Sequence, residues 1–268
     1  MNDAIFNQEE YLKRINFEGV IANNFETLKA IHHAQHGTIP FENFDICLGR
    51  NIELEPKALV HKLVKNKRGG YCFELNGLLL LALTSFGFEA RALLGRVHKT
   101  GEPTGRSHQV TLVTIEDKQW MVDLGFGSES PSIPIPLVYN KPVSFKNQTF
   151  RLTESKLYGY MLQTKQENDW KNLYSFDLNY VCKGDIEYGN HYTSTNQNSF
   201  FTSSRVAALP IENGSVTILN NKLKKTINGM EYTALLDENQ SYLNILKQEF
   251  GIVIDANFED LKPLQKES

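Results

Sequence analysis

The sequence is poor in cysteine: its 268 residues include three, Cys47, Cys72 and Cys182, which lie far apart. So small and odd a number excludes the disulfide framework of a small secreted domain and is typical of a reducing cytosol. Long apolar runs are also absent, since the longest spans residues 78–83, whereas a membrane-spanning helix needs about 20 residues. The polar amino-terminal residues lack the apolar stretch of a secretory signal. These absences predict a cytoplasmic protein with no membrane partner.

An excess of charge of one sign is missing as well. Lys and Arg number 28 and Asp and Glu 31, which gives a formal net charge of −3. Nucleic-acid-binding proteins carry a clear basic excess, so no nucleic-acid partner is predicted. The sequence has no Gly-x-x-x-x-Gly-Lys motif and no second cysteine near any of the three, so neither a phosphate loop nor a bound metal is expected. No pattern indicates an oligomeric state.

The hydrophobic pattern changes its period near Gly87. Apolar residues at helical spacing predict four helices before it, near residues 9–15, 24–36, 56–64 and 72–86. Beta-rich runs after it predict strands near residues 91–97, 108–113, 119–123, 158–164 and 170–176. A hairpin around Asn220 and a closing helix over 241–250 complete the pattern. Helices followed by strands are typical of an α+β protein with segregated layers.

Cys72 lies where two glycines, Gly69 and Gly70, meet the start of the fourth predicted helix. A thiol in the first turn of a helix faces unpaired N–H groups and the positive end of the helix dipole, and both favour the thiolate. The alternative is that Cys72 is a small buried hydrophobic residue, as free cysteines usually are. The position of Cys72 alone leaves both interpretations open.

A histidine and an acid near Cys72 would favour the interpretation of Cys72 as a reactive thiol. His108 shares strand parity with Val110, and Asp123 shares parity with Met121 on the next strand of a short hairpin, so both should face the interior. A buried carboxylate needs a partner, and a neighbouring imidazole provides one. The acid would hold the ring in one tautomer and leave its other nitrogen for the thiol. Together with Cys72, the pair predicts an activated thiol nucleophile.

Four sequence blocks, in this order, resemble the arylamine N-acetyltransferase family. They are Ile39-Pro40-Phe41-Glu42-Asn43-Phe44, Arg68-Gly69-Gly70-Tyr71-Cys72-Phe73-Glu74-Leu75-Asn76, His108 with the β run after it, and Val122-Asp123-Leu124-Gly125-Phe126-Gly127. The Arg-Gly-Gly-Tyr-Cys-Phe-Glu run is highly specific. A later block, residues 193–201, looks like the family's Ser-Thr-x-Pro-x-Ser segment, with Gln197 where proline is usual. The resemblance extends from about Tyr11 to Phe201, most of the chain.

The resemblance implies a cysteine-protease-like catalytic core in three regions. These are a helical bundle over residues 1–88 that carries the nucleophile, an antiparallel β-barrel-like domain over 89–200 that carries the histidine and the acid, and an α/β lid over 201–268. The pattern change at Gly87 supports the first two regions independently. The chain is similar to the shorter bacterial form of the family.

The resemblance also implies a reaction: acetyl transfer from acetyl-CoA to an arylamine or arylhydrazine, or to the oxygen of an N-hydroxyarylamine, without a metal. In the family's ping-pong scheme the Cys72 thiolate takes the acetyl group and the amine then attacks the acetyl-cysteine. His108 would accept the amine's proton while Asp123 orients the ring. Donors to the oxyanion are expected from the N–H of Cys72 and from the loop over 125–127.

Residues on the substrate side follow from the same resemblance. Phe126 is expected to line the acetyl and arylamine pocket, because aromatic walls suit flat substrates. Gly125 and Gly127 would let a substrate approach closely. Tyr71 is grouped with them, although packing is its simpler role. The residues that contact CoA stay unassigned.

Two further interpretations complete the hypothesis. Arg68 and Glu42 are expected to form a structural ion pair that ties the catalytic loop to the first helical region, the alternative being two separately solvated charges. For the function, a hydrolase stays open, because papain-like proteases and transglutaminases also use Cys, His and Asp or Asn. So does a degenerate member that binds a ligand without turnover.

Overall fold

The computed structural model describes residues 6–99 and 102–262. The first third of the chain is helical. Its elements are α1 (Gln8–Arg14), α2 (Phe25–Thr38), β1 (Phe41–Glu42), α3 (Phe44–Cys47), α4 (Pro56–Leu59), a π-helical turn (Val60–Lys65) and α5 (Cys72–Ser85). The side chains of Asn7 and Asn24 accept backbone hydrogen bonds at the starts of α1 and α2, which satisfies N–H groups that have no partner inside the helix. The four predicted helices are therefore confirmed.

A large antiparallel sheet follows the helices. Its strands are β2 (Glu89–Val97), β3 (Arg106–Ile115), β4 (Lys118–Val122), β5 (Ile135–Pro136), β6 (Val143–Phe145), β7 (Gln148–Ser155), β8 (Gly159–Gln166) and β9 (Asp169–Phe176), in the order β5-β4-β3-β2-β9-β8-β7-β6. The segment after β5 brings the sheet's two halves together. The N–H of Leu137 donates to the backbone carbonyl of Gln119 on β4 at 2.9 Å. The N–H of Asn140 donates to the backbone carbonyl of Leu152 on β7 at 2.7 Å. The sheet is a nearly closed barrel, which confirms the predicted α+β class.

The last third forms a second sheet with helices around it. Its elements are α6 (Lys183–Thr195), α7 (Phe200–Ser203), β10 (Val206–Ile211), β11 (Gly214–Leu219), β12 (Lys222–Ile227), β13 (Met230–Leu235) and α8 (Gln240–Phe250). The hairpin predicted around Asn220 joins β11 to β12. At one edge of the sheet, Phe41 of β1 pairs with Ala208 of β10. The amino-terminal and carboxyl-terminal thirds therefore share one sheet, and the division into regions at residues 88 and 200 stays a prediction.

Helix α5 occupies the junction between the helical region and the barrel. It is apolar on nearly all sides, and Leu78, Leu79 and Leu83 are fully buried. It packs against α4 on one side and against β2 and β3 on the other. Gly87, two residues past its end, has φ +87°, a left-handed conformation that glycine adopts without steric cost. Because α5 is packed between α4 and the strands β2 and β3, its first turn has a fixed position against the barrel.

Asn43 provides a first test of how the parts are held together. Its buried side chain donates to the carbonyls of Phe201 and Ser204 at 2.8 and 2.7 Å and accepts from the N–H of Val206 at 2.8 Å. Because Asn43→Ala leaves these backbone groups unpaired, we expect the free energy of unfolding in urea to fall by about 2–4 kcal/mol. The exposed Asn179→Ala should change it by less than about 0.5 kcal/mol. An equal effect of the two variants would contradict this role.

Candidate active site

Cys72 is the first residue of α5, and its side chain is buried, with 2% exposed. The residue before it, Tyr71, caps the helix: its N–H donates to Glu74 Oε2 at 3.1 Å. Such a capping arrangement fixes the first turn and directs its free N–H groups. The Cys72 thiol donates a long hydrogen bond, 3.8 Å, to the carbonyl of Ser107 on β3. The thiol therefore lies at a helix start and against the strand that carries His108.

His108 and Asp123 form a buried pair beside this thiol. His108 Nε2 lies 2.8 Å from Asp123 Oδ2, and the two residues are 3% and 0% exposed. Asp123 directly follows β4, the strand that pairs with β3. The structure thus brings the acid and the imidazole together, on the adjacent strands that strand parity indicated. With Nε2 bonded to the acid, Nδ1 is the nitrogen left for proton transfer.

Three further donors hold the Asp123 carboxylate. The Tyr174 hydroxyl donates to Oδ2 at 2.8 Å, and Asn76 Nδ2 and the N–H of Gly125 donate to Oδ1 at 2.9 and 2.8 Å. Burial alone would raise the pKa of Asp123. The charge of His108, with the hydrogen bonds from His108, Asn76 and Gly125, outweighs burial and holds the pKa below its usual value. Asp123 is therefore a carboxylate at neutral pH.

Asn76 joins the start of α5 to the barrel. It lies one turn after Cys72 and is fully buried. Besides Asp123, its Nδ2 donates to the carbonyl of Gln109 at 2.6 Å, and its Oδ1 accepts from the N–H of Leu124 at 3.0 Å. Helix α5, which begins at Cys72, is thereby bound both to β3 and to the loop after β4. Sequence reasoning assigned no role to Asn76, although its position four residues after the cysteine puts both on one helix face.

The loop after Asp123 lies directly against Cys72. A Cβ on Gly125 would lie 2.5 Å from the Cα of Cys72, closer than real Cβ atoms come. Only glycine allows this approach. Two N–H groups of the loop are already bonded: that of Gly125 to Asp123, and that of Phe126 to Ser130 Oγ at 2.7 Å. These two are therefore committed to holding the loop, which was expected to offer an oxyanion donor.

The predicted substrate-side residues occupy different places. Phe126 is partly exposed and its ring centre lies 5.0 Å from that of His108 and 4.9 Å from that of Tyr174. Lys99 Nζ lies 4.7 Å from the centre of the same ring. Tyr71, in contrast, is fully buried against other aromatic rings. Phe126 faces the site, whereas Tyr71 packs beneath it.

Two recesses open near this site. The larger, about 890 Å³, is lined by Gly127, His33, His36, Lys146 and Gln148 and by the turn between β10 and β11. The smaller, about 270 Å³, has Ser107 and Leu94 at the barrel side and the α6 tyrosines Tyr188 and Tyr192 at the other. Both volumes are of the order that small-molecule sites occupy. Ser107 connects the smaller recess to Cys72, and Gly127 connects the larger one to the loop beside it.

A buried ion network lies under the catalytic loop. Arg68 Nη2 is 2.7 Å from Glu42 Oε1, which is the ion pair that sequence analysis proposed. Lys62, which sequence analysis missed, bridges Asp45 Oδ2 and Glu74 Oε1 at 2.6 and 2.7 Å. Glu74 completes the capping box of α5 with Tyr71, so Lys62 supports the start of the helix that carries Cys72. A lysine in a helix gives no sequence signal for such a partner, because both acids are brought to it by the fold.

Burial raises the pKa of the Cys72 thiol, against hydrogen bonds from the backbone of Gln109 and Phe73. An isolated thiolate is therefore disfavoured, and ionisation needs a cation beside the sulfur. Among residues 6–99 and 102–262, no cluster of three or more His, Cys, Asp or Glu side chains could hold a metal ion. In the same residues, no helix is both long and apolar enough to cross a bilayer.

Comparison with known proteins identifies the class. The profile of the N-acetyltransferase family matches residues 24–259. An arylamine N-acetyltransferase of Escherichia coli is 34% identical over 251 residues, which cover 91% of this chain and 88% of that protein. A Salmonella typhimurium protein named arylamine N-acetyltransferase / N-hydroxyarylamine O-acetyltransferase is 33% identical over 252 residues, with coverage of 91% and 88%.

Solved structures agree with the sequences. The arylamine N-acetyltransferase of Salmonella typhimurium superposes with a TM-score of 0.88 at 31% identity, over 93% of this chain and 92% of that one. The Mycobacterium marinum enzyme in complex with CoA gives 0.86 at 30% identity, over 92% and 93%. The chain is therefore an enzyme of the acetyltransferase class. It belongs to the arylamine N-acetyltransferase family, as the four sequence blocks predicted.

Lys62 gives a test of the ion network and of its pH dependence. Lys62→Met leaves Asp45 and Glu74 without their shared cation, so we expect the free energy of unfolding to fall by about 3 kcal/mol at pH 8. Burial already raises the pKa of Glu74, against the charge of Lys62, and the variant should raise it further. A raised carboxyl pKa favours the folded state at low pH and disfavours it as pH rises from about 4.3. The loss in urea unfolding should therefore be smaller at pH 5 than at pH 8.

Lys65→Met is the matched control, since Lys65 is exposed in the same π-helical turn. It should change stability by less than about 0.5 kcal/mol at either pH. A loss for Lys62→Met that is the same at pH 5 and pH 8 would contradict the assignment of Lys62 to the buried carboxylates.

Proposed function

We propose that this chain transfers the acetyl group of acetyl-CoA to the nitrogen of arylamines and arylhydrazines through an acetyl-Cys72 intermediate. The observation that carries the proposal is the hydrogen bond between the buried Asp123 and His108 of β3, the strand that packs against α5, where Cys72 is the first residue. A buried thiol, an imidazole and a carboxylate in this order form an activated nucleophile. The family supplies the acetyl donor and acceptor classes.

In the first half-reaction, the Cys72 thiol gives its proton to His108 Nδ1 and its sulfur attacks the thioester carbonyl. The bond between the acetyl carbon and the CoA sulfur breaks. The CoA thiolate then accepts from the imidazolium the proton that Cys72 gave up, and free CoA leaves. Asp123 stabilises the imidazolium, because a charge 2.8 Å from Nε2 in a water-excluded site interacts strongly. The N–H of Cys72 would donate to the oxyanion, since the first N–H groups of a helix have no partner inside it.

In the second half-reaction, the amine nitrogen attacks the acetyl carbon of acetyl-Cys72. His108 accepts a proton from that nitrogen and returns it to the Cys72 sulfur as the thioester bond breaks. The products are the N-acetyl compound and the free thiol, so the enzyme returns to its starting state. A hydroxylamine oxygen can replace the amine nitrogen in the same step. This O-acetylation is the second activity in the name of the Salmonella typhimurium relative.

The two recesses suit two substrates. The larger has Lys146 and several amide side chains for a long, phosphate-bearing donor such as acetyl-CoA, and Gly127 leads from it toward the site. CoA is the ligand in the solved Mycobacterium marinum relative. The smaller recess has Tyr188 and Tyr192 as aromatic walls for a flat acceptor, next to Ser107. We assign the donor to the larger recess and the acceptor to the smaller.

The intermediate gives the direct test. Wild-type protein mixed with acetyl-CoA and no amine should release one equivalent of CoA and gain one acetyl group on Cys72, because the amine is needed only in the second step. Intact and peptide mass spectrometry measure both. Cys72→Ser should lose the adduct and acetyl transfer to an arylamine such as anisidine, whereas Cys182→Ser, which changes an exposed thiol, should keep both.

Two results would overturn the proposal. Acetyl transfer by Cys72→Ser at the wild-type rate would exclude the acetyl-cysteine. Cleavage of peptide substrates without any acetyl adduct would instead support the hydrolase that the same three residue types also allow.

The pH dependence of Cys72 alkylation tests the pairing of thiol and imidazole. In the wild type, iodoacetamide should react with Cys72 well below pH 7, because Asp123 favours the imidazolium that balances the thiolate. In Asp123→Asn that cation loses its partner, while burial still raises the thiol pKa. Reaction at pH 6 should slow by about tenfold or more and recover only at higher pH.

Whether Asp123→Asn slows or speeds alkylation of Cys72 depends on which effect of the Asp123 charge is larger. Its charge also disfavours the Cys72 thiolate directly, but it bonds His108 at 2.8 Å and makes no hydrogen bond with the thiol, so the effect through the imidazole dominates. Tyr174→Phe removes one hydrogen bond to Asp123 and leaves the charge. Tyr174→Phe should shift the pH profile of Cys72 alkylation in the same direction as Asp123→Asn, but by a smaller amount. Faster alkylation of Asp123→Asn at pH 6 would contradict the pairing.

A further inference from the structure

The peptide group that links Asp123 to Leu124 is held at both of its polar atoms by side chains. Strand β4 ends at Val122, so the ladder stops just before this peptide. The N–H of Leu124 donates to Asn76 Oδ1 at 3.0 Å. The carbonyl of Asp123 lies 3.3 Å from His32 Nε2. Hydrogen bonds at both the N–H and the carbonyl fix the plane of this peptide group. That plane sets the direction in which the Asp123 side chain leaves the backbone.

His32 meets the backbone of Asp123 and of Ser132 and stacks on the ring of His36. It lies on α2, 91 residues before Asp123, and is fully buried. Its Nδ1 is buried and, within the part of the chain that the structure describes, has no hydrogen-bond partner. A buried polar atom without a partner is costly, so a buried histidine that keeps one calls for a functional explanation. The bond from its other nitrogen to the catalytic acid's carbonyl provides that explanation.

The tautomer of His32 follows from the same contacts. A carbonyl oxygen can only accept, so Nε2 must carry the proton. Burial lowers the pKa of His32 to about 4, against the influence of Asp123 and Ser132, and lowers that of its neighbour His36 to about 3. Both rings are therefore neutral at pH 7. The half-buried His33, whose pKa is also lowered, adds no cation on this side of Asp123.

We infer that His32 is a positioning residue for the acetyl-transfer reaction: as a neutral imidazole it donates from Nε2 to the Asp123 carbonyl and so directs the carboxylate toward His108. Its neutrality matters as much as its hydrogen bond. A cation at His32 would attract Asp123 away from His108, and burial in α2 prevents it. This inference rests on the proposed function for its meaning, but its geometric claim can be measured on the thiol alone.

The test compares two amides at position 32. His32→Gln keeps an N–H donor near the place of Nε2, whereas His32→Asn moves the donor back to the place of Nδ1, where it does not reach the Asp123 carbonyl. We expect His32→Asn to lower kcat for anisidine acetylation by about tenfold or more, with KM for acetyl-CoA little changed. The pH midpoint of Cys72 alkylation should rise by about one unit. His32→Gln should keep both kcat and the pH midpoint of alkylation close to their wild-type values.

Gln35→Asn is the matched control. Gln35 is buried on the same helix and bonds the Tyr11 hydroxyl and the carbonyl of Leu75, so shortening it removes comparable hydrogen bonds without touching Asp123. It should lower the melting temperature while leaving the alkylation midpoint at the wild-type value.

The outcomes separate the possible explanations. If His32→Asn lowers only the melting temperature, as Gln35→Asn does, or if His32→Gln fails to restore the midpoint, the positioning role is wrong. If wild-type protein forms no acetyl-Cys72, the proposed function fails, and the alkylation midpoints of the two amide variants still decide whether His32 positions Asp123.

Discussion

A single buried carboxylate organises this molecule. Asp123 is fully buried and ionised, a state that costs several kcal/mol unless donors surround it. Its donors come from separate parts of the fold: His108 on β3, Tyr174 on β9, Asn76 on α5 and the backbone after Asp123 itself. Each of these elements must therefore dock correctly for the charge to be tolerated. Because the Asp123 carboxylate requires donors from all of these elements, it couples the barrel to the helical region.

The first turn of α5 is held from two sides by polar contacts of this kind. On one side, Glu74 caps the helix and is held by Lys62. On the other, Asn76 bonds the barrel through Gln109 and Asp123. Between them, the helix start has little freedom to move. If Cys72 is the nucleophile, as proposed, this rigid helix start preorganises it and lowers the cost of aligning its sulfur with a thioester.

Local patterns predicted the elements that matter most, because their causes are local. The apolar run of α5 and the period-2 parity of β3 and β4 follow from neighbouring residues, and with them the nucleophile, the imidazole and the acid could be placed near one another. The partners that hold the acid could not be found this way. Tyr174 is 51 residues from Asp123 and His32 is 91, and no periodicity encodes such a distance.

The same limit applies to the fold. Helix α6 was missed because it is mainly polar and, in its described residues, buries little beyond Thr193, so it shows no strong apolar stripe. Strand β1 is two residues long and exists because β10, more than 160 residues later, pairs with it. Lys62 was missed for a related reason: the acids that surround it belong to α3 and α5. Short elements and buried charges depend on tertiary partners that sequence patterns do not display.

The three cysteines differ in their surroundings more than in their burial or their place on a helix. Burial raises the pKa of Cys47 to about 12, and burial also raises that of Cys72, so burial does not distinguish them. A helix start does not either, because Cys182 precedes α6 in a capping box and is exposed to solvent. What sets Cys72 apart is that its thiol bonds the carbonyl of Ser107, the residue before His108, whose ring is bonded to the ionised Asp123. In the proposed function, the reactivity of the thiol is set by Asp123 acting through the imidazole, and it depends on every contact that keeps that carboxylate buried, charged and directed toward His108.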